Sequence, residues 1–514
     1  MRLKSIGRFG TLLVLSIFVL AGWGLEVHAK PARQKVKHII VFIGDGMQRE
    51  HENAASRYLF GREEALAFHA FPYSGYVATW DVSTYNKYAA NLGVAAYAPA
   101  GFNPLVGYDP AKGGKKPYPL QTTGIDDSYF IPAGGAKPFA TDSASAATAL
   151  FAGIKTDDGN IAWQPGDPPD GAVQTLAELM RAKTGAAIGV VSTVPFSHAT
   201  PAGLVSHNVS RNNYQAIAAE IINTIRPEVV IGGGYPGQTG TNAYKYIAEA
   251  EYLFLKSAAP ANPYVFVERA DGLDGAETLL AAAESAAAAG KKLFGLFGGP
   301  GGNFESPVAH DFPETPLVLR ATEENPLLAD ATLAALKVLS RDPDGFLLML
   351  EQGDIDWANH GNDFKRMVGT MWDLHQAVQA AVDFVNRPDD EINWENTLLI
   401  VTSDHGNSYL RLNAVLEAGD LPRQEGACGY SNAACTYPDG EVSYRTTDHT
   451  NELVMLYIQG GPAALKIKSY EGSWYPCTRI IDNTQLFHFM AEAAGVAVDS
   501  TLSPAIKKGR CGGR

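Results

Sequence analysis

Val36-Lys37-His38-Ile39-Ile40-Val41-Phe42-Ile43-Gly44-Asp45-Gly46 runs from β-branched apolar residues straight into a Gly-Asp-Gly turn. A near-continuous apolar run has no polar face, so a strand built from it must be covered on both sides. Three further stretches repeat the pattern: residues 186–191 lead to Ser197-His198, residues 346–350 end in Glu351, and residues 397–401 end in Ser403-Asp404-His405. Helical periodicity fills the intervals at 173–183, 213–224, 276–289, 327–339 and 362–386. Such strands alternating with helices predict an α/β fold, a large, mostly parallel central sheet with helices on both faces. In folds of this kind ligands gather at the carboxyl ends of the strands. The polar residues just named sit at those ends.

The stretch Thr141-Asp142-Ser143-Ala144-Ser145-Ala146-Ala147-Thr148 sets a hydroxyl after an acid and opens a run of small, helix-forming residues. At a helix N-terminus the free N–H groups and the dipole favour an incoming anion. Metal-ligand residue types flank it. Asp356-x-x-x-His360 puts a carboxylate and an imidazole on one face of a helical turn. Asp404-His405 sets the same pair at a strand end, Asp45 sits where glycines allow a tight turn, Glu351 closes an apolar run, and His449 follows Asp448. Mixed His/Asp sets without thiolates suit zinc in a catalytic setting, and oxygen-only sets suit magnesium. Singly, each of these also fits a solvated helix face or an N-cap. His207, His310, His375 and His488 have no acidic partner at useful spacing and read as surface or core residues, and His51 reads as structural.

The first residues read as a targeting segment, with Arg2, Lys4 and Arg8 before an apolar run over 11–24 and Val27-His28-Ala29 as a cleavage site. The mature protein is then expected to begin at Lys30, as a single catalytic domain over 30–514 after a signal peptide over 1–29. The apolar run is too short for a comfortable membrane span, so the expectation is an exported protein, periplasmic or secreted. A formal charge of −14 argues against a dedicated nucleic-acid partner. The four cysteines, Cys428, Cys435, Cys477 and Cys511, predict two disulfides, their spacing favouring Cys428–Cys435 and Cys477–Cys511. Two segments, about 76–140 and 407–445, show no sustained period and read as long loop insertions over the active-site end.

Taken in order, Gly44-Asp45-Gly46-Met47, the Asp142-Ser143 box, Gly153-Ile154-Lys155-Thr156 and His198-Ala199-Thr200-Pro201-Ala202 resemble the alkaline phosphatase family. Ser210-Arg211-Asn212, Gly232-Gly233-Gly234, Glu351-x4-Asp356-x3-His360, Thr402-Ser403-Asp404-His405, His449-Thr450 and Ile481-Asp482-Asn483-Thr484 continue the resemblance, which runs from about residue 36 to 495. It implies that Ser143 is the nucleophile that becomes phosphorylated and that Arg211 grips the phosphate oxygens. It implies one zinc on Asp356, His360 and His449, a second on Asp45, Asp404 and His405, and a magnesium on Asp45, Thr200 and Glu351. A homodimer is implied as well. His198 and Trp357 stand where one branch of the family has Asp and Lys, which bears on magnesium binding and on contacts to phosphate.

The function expected is hydrolysis of small phosphate monoesters through a phosphoserine at a site of two Zn²⁺ and one Mg²⁺, releasing inorganic phosphate. A phosphodiesterase on the same scaffold is the enzymatic alternative, and an inactive phosphate- or metal-binding protein the non-enzymatic one. Arg211, Thr200 and Glu351 favour the monoester, because they serve a doubly charged terminal phosphoryl group.

Overall fold

The computed structural model describes residues 35–117, 127–238, 243–388, 390–429 and 434–498. The expected signal peptide and Cys511 lie outside them. Ten strands make one sheet: β1 His38–Gly44, β2 Tyr73–Ala78, β3 Ala187–Pro195, β4 Val229–Gly233, β5 Tyr264–Glu268, β6 Lys292–Leu296, β7 Phe346–Gln352, β8 Thr397–Thr402, β9 Val454–Gly460 and β10 Ile480–Asp482. Their spatial order is β10-β2-β9-β8-β1-β7-β3-β4-β6-β5. Only β9 runs against the rest, antiparallel to both β8 and β2. The expected mostly parallel sheet is what the chain forms.

Alternation along the strands feeds two cores. Ile40, Phe42, Leu348 and Leu350 face one layer, while Ile39, Val41, Ile43, Leu347 and Met349 face the other. Numbering only those that bear on the site, the helices are α1 Arg49–Phe60, α2 Val82–Leu92, α3 Ser143–Ala152, α4 Leu176–Thr184, α5 Ala199–Val205, α6 Gly275–Ala289, α7 Leu328–Leu339, α8 Asp354–His360, α9 Phe364–Val385 and α10 Asn483–Ala494. Helices α6, α7 and α9 cover the first layer, and α3, α4, α5 and α10 the second. Helix α9 shows how sequence decides this. Met367, Met371, Leu374, Val378, Ala381 and Val385 recur at three- and four-residue steps, and all are buried.

The segment 76–140, expected as a long loop, opens on regular structure and has only short helical turns over the rest of its described residues. Its first residues belong to β2, which pairs with β9 and β10. Helix α2 follows, capped by Asp81, whose carboxylate accepts from Thr84 N–H. The apolar periodicity is faint because the buried side chains are aromatic. Trp80, Tyr85, Tyr97 and Phe102 pack ring against ring, with centroids 4.8–6.3 Å apart. Among its described residues the excursion 407–445 stays largely irregular, with two-residue strands only. It carries the Cys428–Cys435 disulfide, as expected.

Lys155 ties the end of α3 to β10. Its buried ammonium donates to Trp80 O at 2.5 Å and Asn483 Oδ1 at 2.6 Å, and pairs with Asp482 at 3.0 Å. His207 corrects the reading from sequence. It has two acidic partners, Glu220 at 2.9 Å and Glu178 at 3.2 Å, brought from distant positions by the fold. Burial pushes its pKa down, but the two glutamates outweigh burial and raise it from 6.5 to about 10. A folded-state value above the unfolded one means the stabilisation is complete below about pH 6.5 and is lost as pH rises to about 10. Urea midpoints of wild type and His207→Gln are therefore expected to converge across that window. A gap that stays constant from pH 6 to pH 10 refutes the pairing.

Candidate active site

Four neighbouring strands, β8, β1, β7 and β3, deliver the polar residues from their carboxyl ends. In register, Ile43 lies beside both Glu351 and Thr402, and Ser192 beside Glu351. Asp45 follows β1, Glu351 sits in β7, Asp404 and His405 follow β8, and Thr200 opens α5 after β3. Helix α8 brings Asp356 and His360 one turn apart. His449 arrives on a two-residue ladder, His449–Thr450 against Gly406–Asn407.

Two groups of side chains close on separate points, Asp356, His360 and His449 on one and Asp45, Asp404 and His405 on the other. In the first, His360 Nε2 is 3.2 Å from His449 Nε2, and both approach Asp356, at 3.1 and 3.3 Å. His360 Nδ1 lies 2.5 Å from Thr447 O, and His449 Nδ1 lies 2.9 Å from Thr141 O. Each Nδ1 faces a carbonyl and donates its proton there, so the facing Nε2 atoms are the ones that can offer lone pairs to a cation. Two lone pairs and a carboxylate aimed at one point form a cation-binding set. In the second group His405 Nε2 stands 3.4 Å from Asp45 and 3.2 Å from Asp404. Asp45 Oδ1, Asp404 Oδ2, Glu351 Oε1 and Thr200 Oγ1 are buried without a well-formed hydrogen bond. Buried oxygen acceptors left in that state cost free energy unless a cation engages them. The donors present thus fit both an N/O site and an oxygen-rich site.

Charge tells the same story. Burial, then Asp404, Asp356 and Glu351, pushes the Asp45 carboxyl well above the usual carboxylate range. Burial raises Glu351 to about 7 against the Ser192 hydrogen bond. Burial also pushes Asp356 up, but His360 and His449 together outweigh it and leave it well below the ordinary range. His405 is lowered to about 4, mainly by burial.

Ser143 begins α3, with its Oγ 3.2 Å from His405 Nε2. Asp142 caps the helix by accepting from Ser145 N–H at 2.9 Å, and its other oxygen holds Arg211 at 2.9 Å. Burial pushes Asp142 up, yet Arg211 wins and leaves it at about 2. Nearby, His198 caps α5 and stacks on Tyr214 at 5.7 Å, with Trp357 6.1 Å away. Burial, then Arg211, lowers its pKa to about 3, so its ring is neutral. A cavity of about 860 Å³ adjoins the His360–His449 side, lined by Ile131, Pro138, Arg445, Thr447 and Asp448 among others.

The structure brings every sequence-predicted residue into this region. Several supporting groups were not found from sequence. Asn407 Nδ2 donates to Asp356 Oδ1 at 2.6 Å, and Ser192 donates to Glu351. Both follow from strand register, which a single sequence does not reveal.

The sequence profile described as alkaline phosphatase matches residues 121–469, more than half of the chain. Alkaline phosphatase 3 of Bacillus subtilis is 31% identical over 281 residues, covering 53% of this chain and about half, 51%, of that protein. The alkaline phosphatase of Escherichia coli is 27% identical over 412 residues, covering 73% of this chain and 79% of its own. Among solved structures, Thermus thermophilus alkaline phosphatase superposes with a TM-score of 0.58 at 19% identity, covering 90% of this chain and 92% of that one. The enzyme of the Antarctic bacterium TAB5 gives 0.55 at 20% identity, covering 91% and 100%. These matches define a class, the metal-dependent phosphoric monoester hydrolases. Within it, the chain belongs to the alkaline phosphatase family.

Gly46 has φ 66°, and a Cβ built on it would lie 2.8 Å from Asp356 Oδ1. Gly46→Ala is expected to cost more than about 1 kcal/mol in backbone strain and to displace Asp356. Metal analysis of the purified variant should show lower content than wild type, and equal content would contradict the geometry.

Proposed function

We propose that this protein hydrolyses small phosphate monoesters through a phosphoserine at Ser143, with two zinc ions and one magnesium ion. Asp356, His360 and His449 would hold one zinc, Asp45, Asp404 and His405 the other, and Asp45, Thr200 and Glu351 the magnesium. The observation that carries the reading is the nucleophile's setting, with Ser143 Oγ 3.2 Å from His405 Nε2, a member of one of the two donor sets. When bound, the cations supply Lewis acidity, lowering the pKa of hydroxyl groups and neutralising the apical oxygens of an in-line displacement.

The chain's own residues do the rest. Ser143 Oγ attacks phosphorus as the bond to the leaving alcohol breaks. Water then cleaves the phosphoserine, returning the serine and releasing inorganic phosphate. The N-terminus of α3 faces the transferred group with free N–H groups and a positive dipole. Arg211 offers a planar fork to two equatorial oxygens, a match that lysine lacks. Its present partner Asp142 keeps that fork at the mouth of the site. The cavity lined by Ile131, Pro138 and Arg445 has room for a leaving group of modest size.

Magnesium as the third ion is supported by the oxygen-only donor set and by a variant of the TAB5 enzyme whose structure has magnesium bound. Export is supported by the Cys428–Cys435 disulfide. Among the described residues no helix is long and apolar enough to cross a membrane. A homodimer remains part of the proposal.

Ser143→Ala is expected to lower kcat by several orders of magnitude, leaving residual turnover. Acid-quenched turnover followed by phosphopeptide mapping should label Ser143, and label on any other residue would sink the assignment. His198 adds no negative charge near Thr200, whereas a carboxylate there would orient the cation's waters. His198→Asp is therefore expected to lower the Mg²⁺ concentration for half-maximal activity of the zinc-loaded protein by about tenfold. An unchanged Mg²⁺ titration removes His198 from that role.

A further inference from the structure

The turn that follows His360 does not stand alone. Helix α8 has only seven residues, ends at His360 and is followed by Gly361. Two turns of helix are too short to be stable by themselves, so neighbours decide where the helix stops. Asn362 then takes φ 48°, a conformation uncommon for any residue but glycine.

Those neighbours come from the excursion that carries the disulfide. Cys435 N–H donates to Gly361 O at 3.0 Å. A Cβ placed on Gly361 would lie 2.9 Å from Gly429 N, so the loop backbone rests directly on the turn. Tyr437 Oη donates to Asn362 O at 2.6 Å and accepts from Phe364 N–H at 3.0 Å. Gln424 Nε2 donates to Asp363 Oδ1 at 3.0 Å. Within the loop, Glu425 and Thr436 exchange backbone hydrogen bonds of 3.0 and 2.9 Å, and Cys428–Cys435 closes it covalently. On its far side Tyr437 stacks on Tyr444 at 5.4 Å, and Tyr444 leads to the segment whose Thr447 O holds His360 Nδ1.

We infer that the Cys428–Cys435 loop and Tyr437 are positioning elements for His360, fixing the end of α8 and hence the direction of its Nε2. The inference rests on the proposed role of His360 as a metal ligand. A crosslink limits the states an opened loop can visit, so the four contacts on residues 361–364 stay formed together. Without it the turn relaxes and His360 must be ordered by the metal, which weakens binding. The other donor set is held differently, because Asp404 and His405 follow the central strand β8 and are fully buried. The effect is therefore selective for one of the two metal positions.

The test is stepwise zinc release. Zinc-loaded wild type, His360→Ala, Cys428→Ser/Cys435→Ser and Tyr437→Phe are titrated with a chromogenic chelator, with far-UV circular dichroism confirming the fold. Each clamp variant is expected to give up one zinc at about tenfold lower chelator concentration than wild type, and the second zinc at the wild-type concentration. If His360→Ala releases zinc early while the clamp variants follow wild type, the positioning role is overturned and the ligand assignment stands. If His360→Ala itself holds zinc like wild type, the ligand assignment falls and the inference with it. Should the double cysteine variant fail to fold, Tyr437→Phe decides by the same criterion, since it keeps the ring stack and loses only the bridging hydroxyl.

Discussion

Crowded like charge is the constraint on which this structure depends. Asp45, Glu351, Asp356 and Asp404 are buried together, beside three imidazoles that are partly or fully buried. Two unit charges 4 Å apart repel by about 4 kcal/mol at an effective dielectric of 20, so the cluster works against the folded state. The rigidity that holds it comes from the sheet beneath. Strands β1, β7 and β8 are buried throughout on both faces, and a packed interior yields little to strain. The pull of the carboxylates on Asp45, whose proton affinity burial and its neighbours raise, measures how strongly the pocket calls for positive charge.

The surrounding groups divide that demand. Ring nitrogens turned outward spend their protons on main-chain carbonyls, leaving the inward nitrogens as electron-pair donors. Arg211 supplies a guanidinium that reaches Asp142, and the helix carrying Ser143 adds the partial positive charge of its first turn. On the proposed function, an anionic phosphoryl group entering here would meet charge already arranged, the electrostatic preorganisation that phosphoryl transfer requires.

Much of this was legible in the chain. Apolar runs that lead into polar, mostly acidic residues located four strands and the end of the sheet where the site lies, because burial on both faces leaves no other pattern. The ligand-type residues within one element, such as Asp356 and His360, were equally open to reading, since helical geometry fixes their spacing. What sequence hid was everything set by contact between elements. The glutamates at His207, the amide of Asn407 on Asp356 and the ring cluster about Trp80 come from distant positions, and no local period announces them. Strand β2 was missed for a related reason. Its Tyr-Ser-Gly-Tyr-Val-Ala sequence is mixed, and its place is secured by pairing with β9 and β10.

The ladder between Gly406–Asn407 and His449–Thr450 fastens both ends of the excursion 408–448 at one place. Closing a loop costs entropy that grows only with the logarithm of its length, so residues can be gained or lost between those ends cheaply. His449 is insulated from such drift, being held by the ladder itself. His360 is not, because the turn behind it leans on the excursion's interior. The two histidines that share Asp356 are thus secured by different means: one by a fixed pairing of backbone, the other by whatever the interior of a surface excursion presses against its turn.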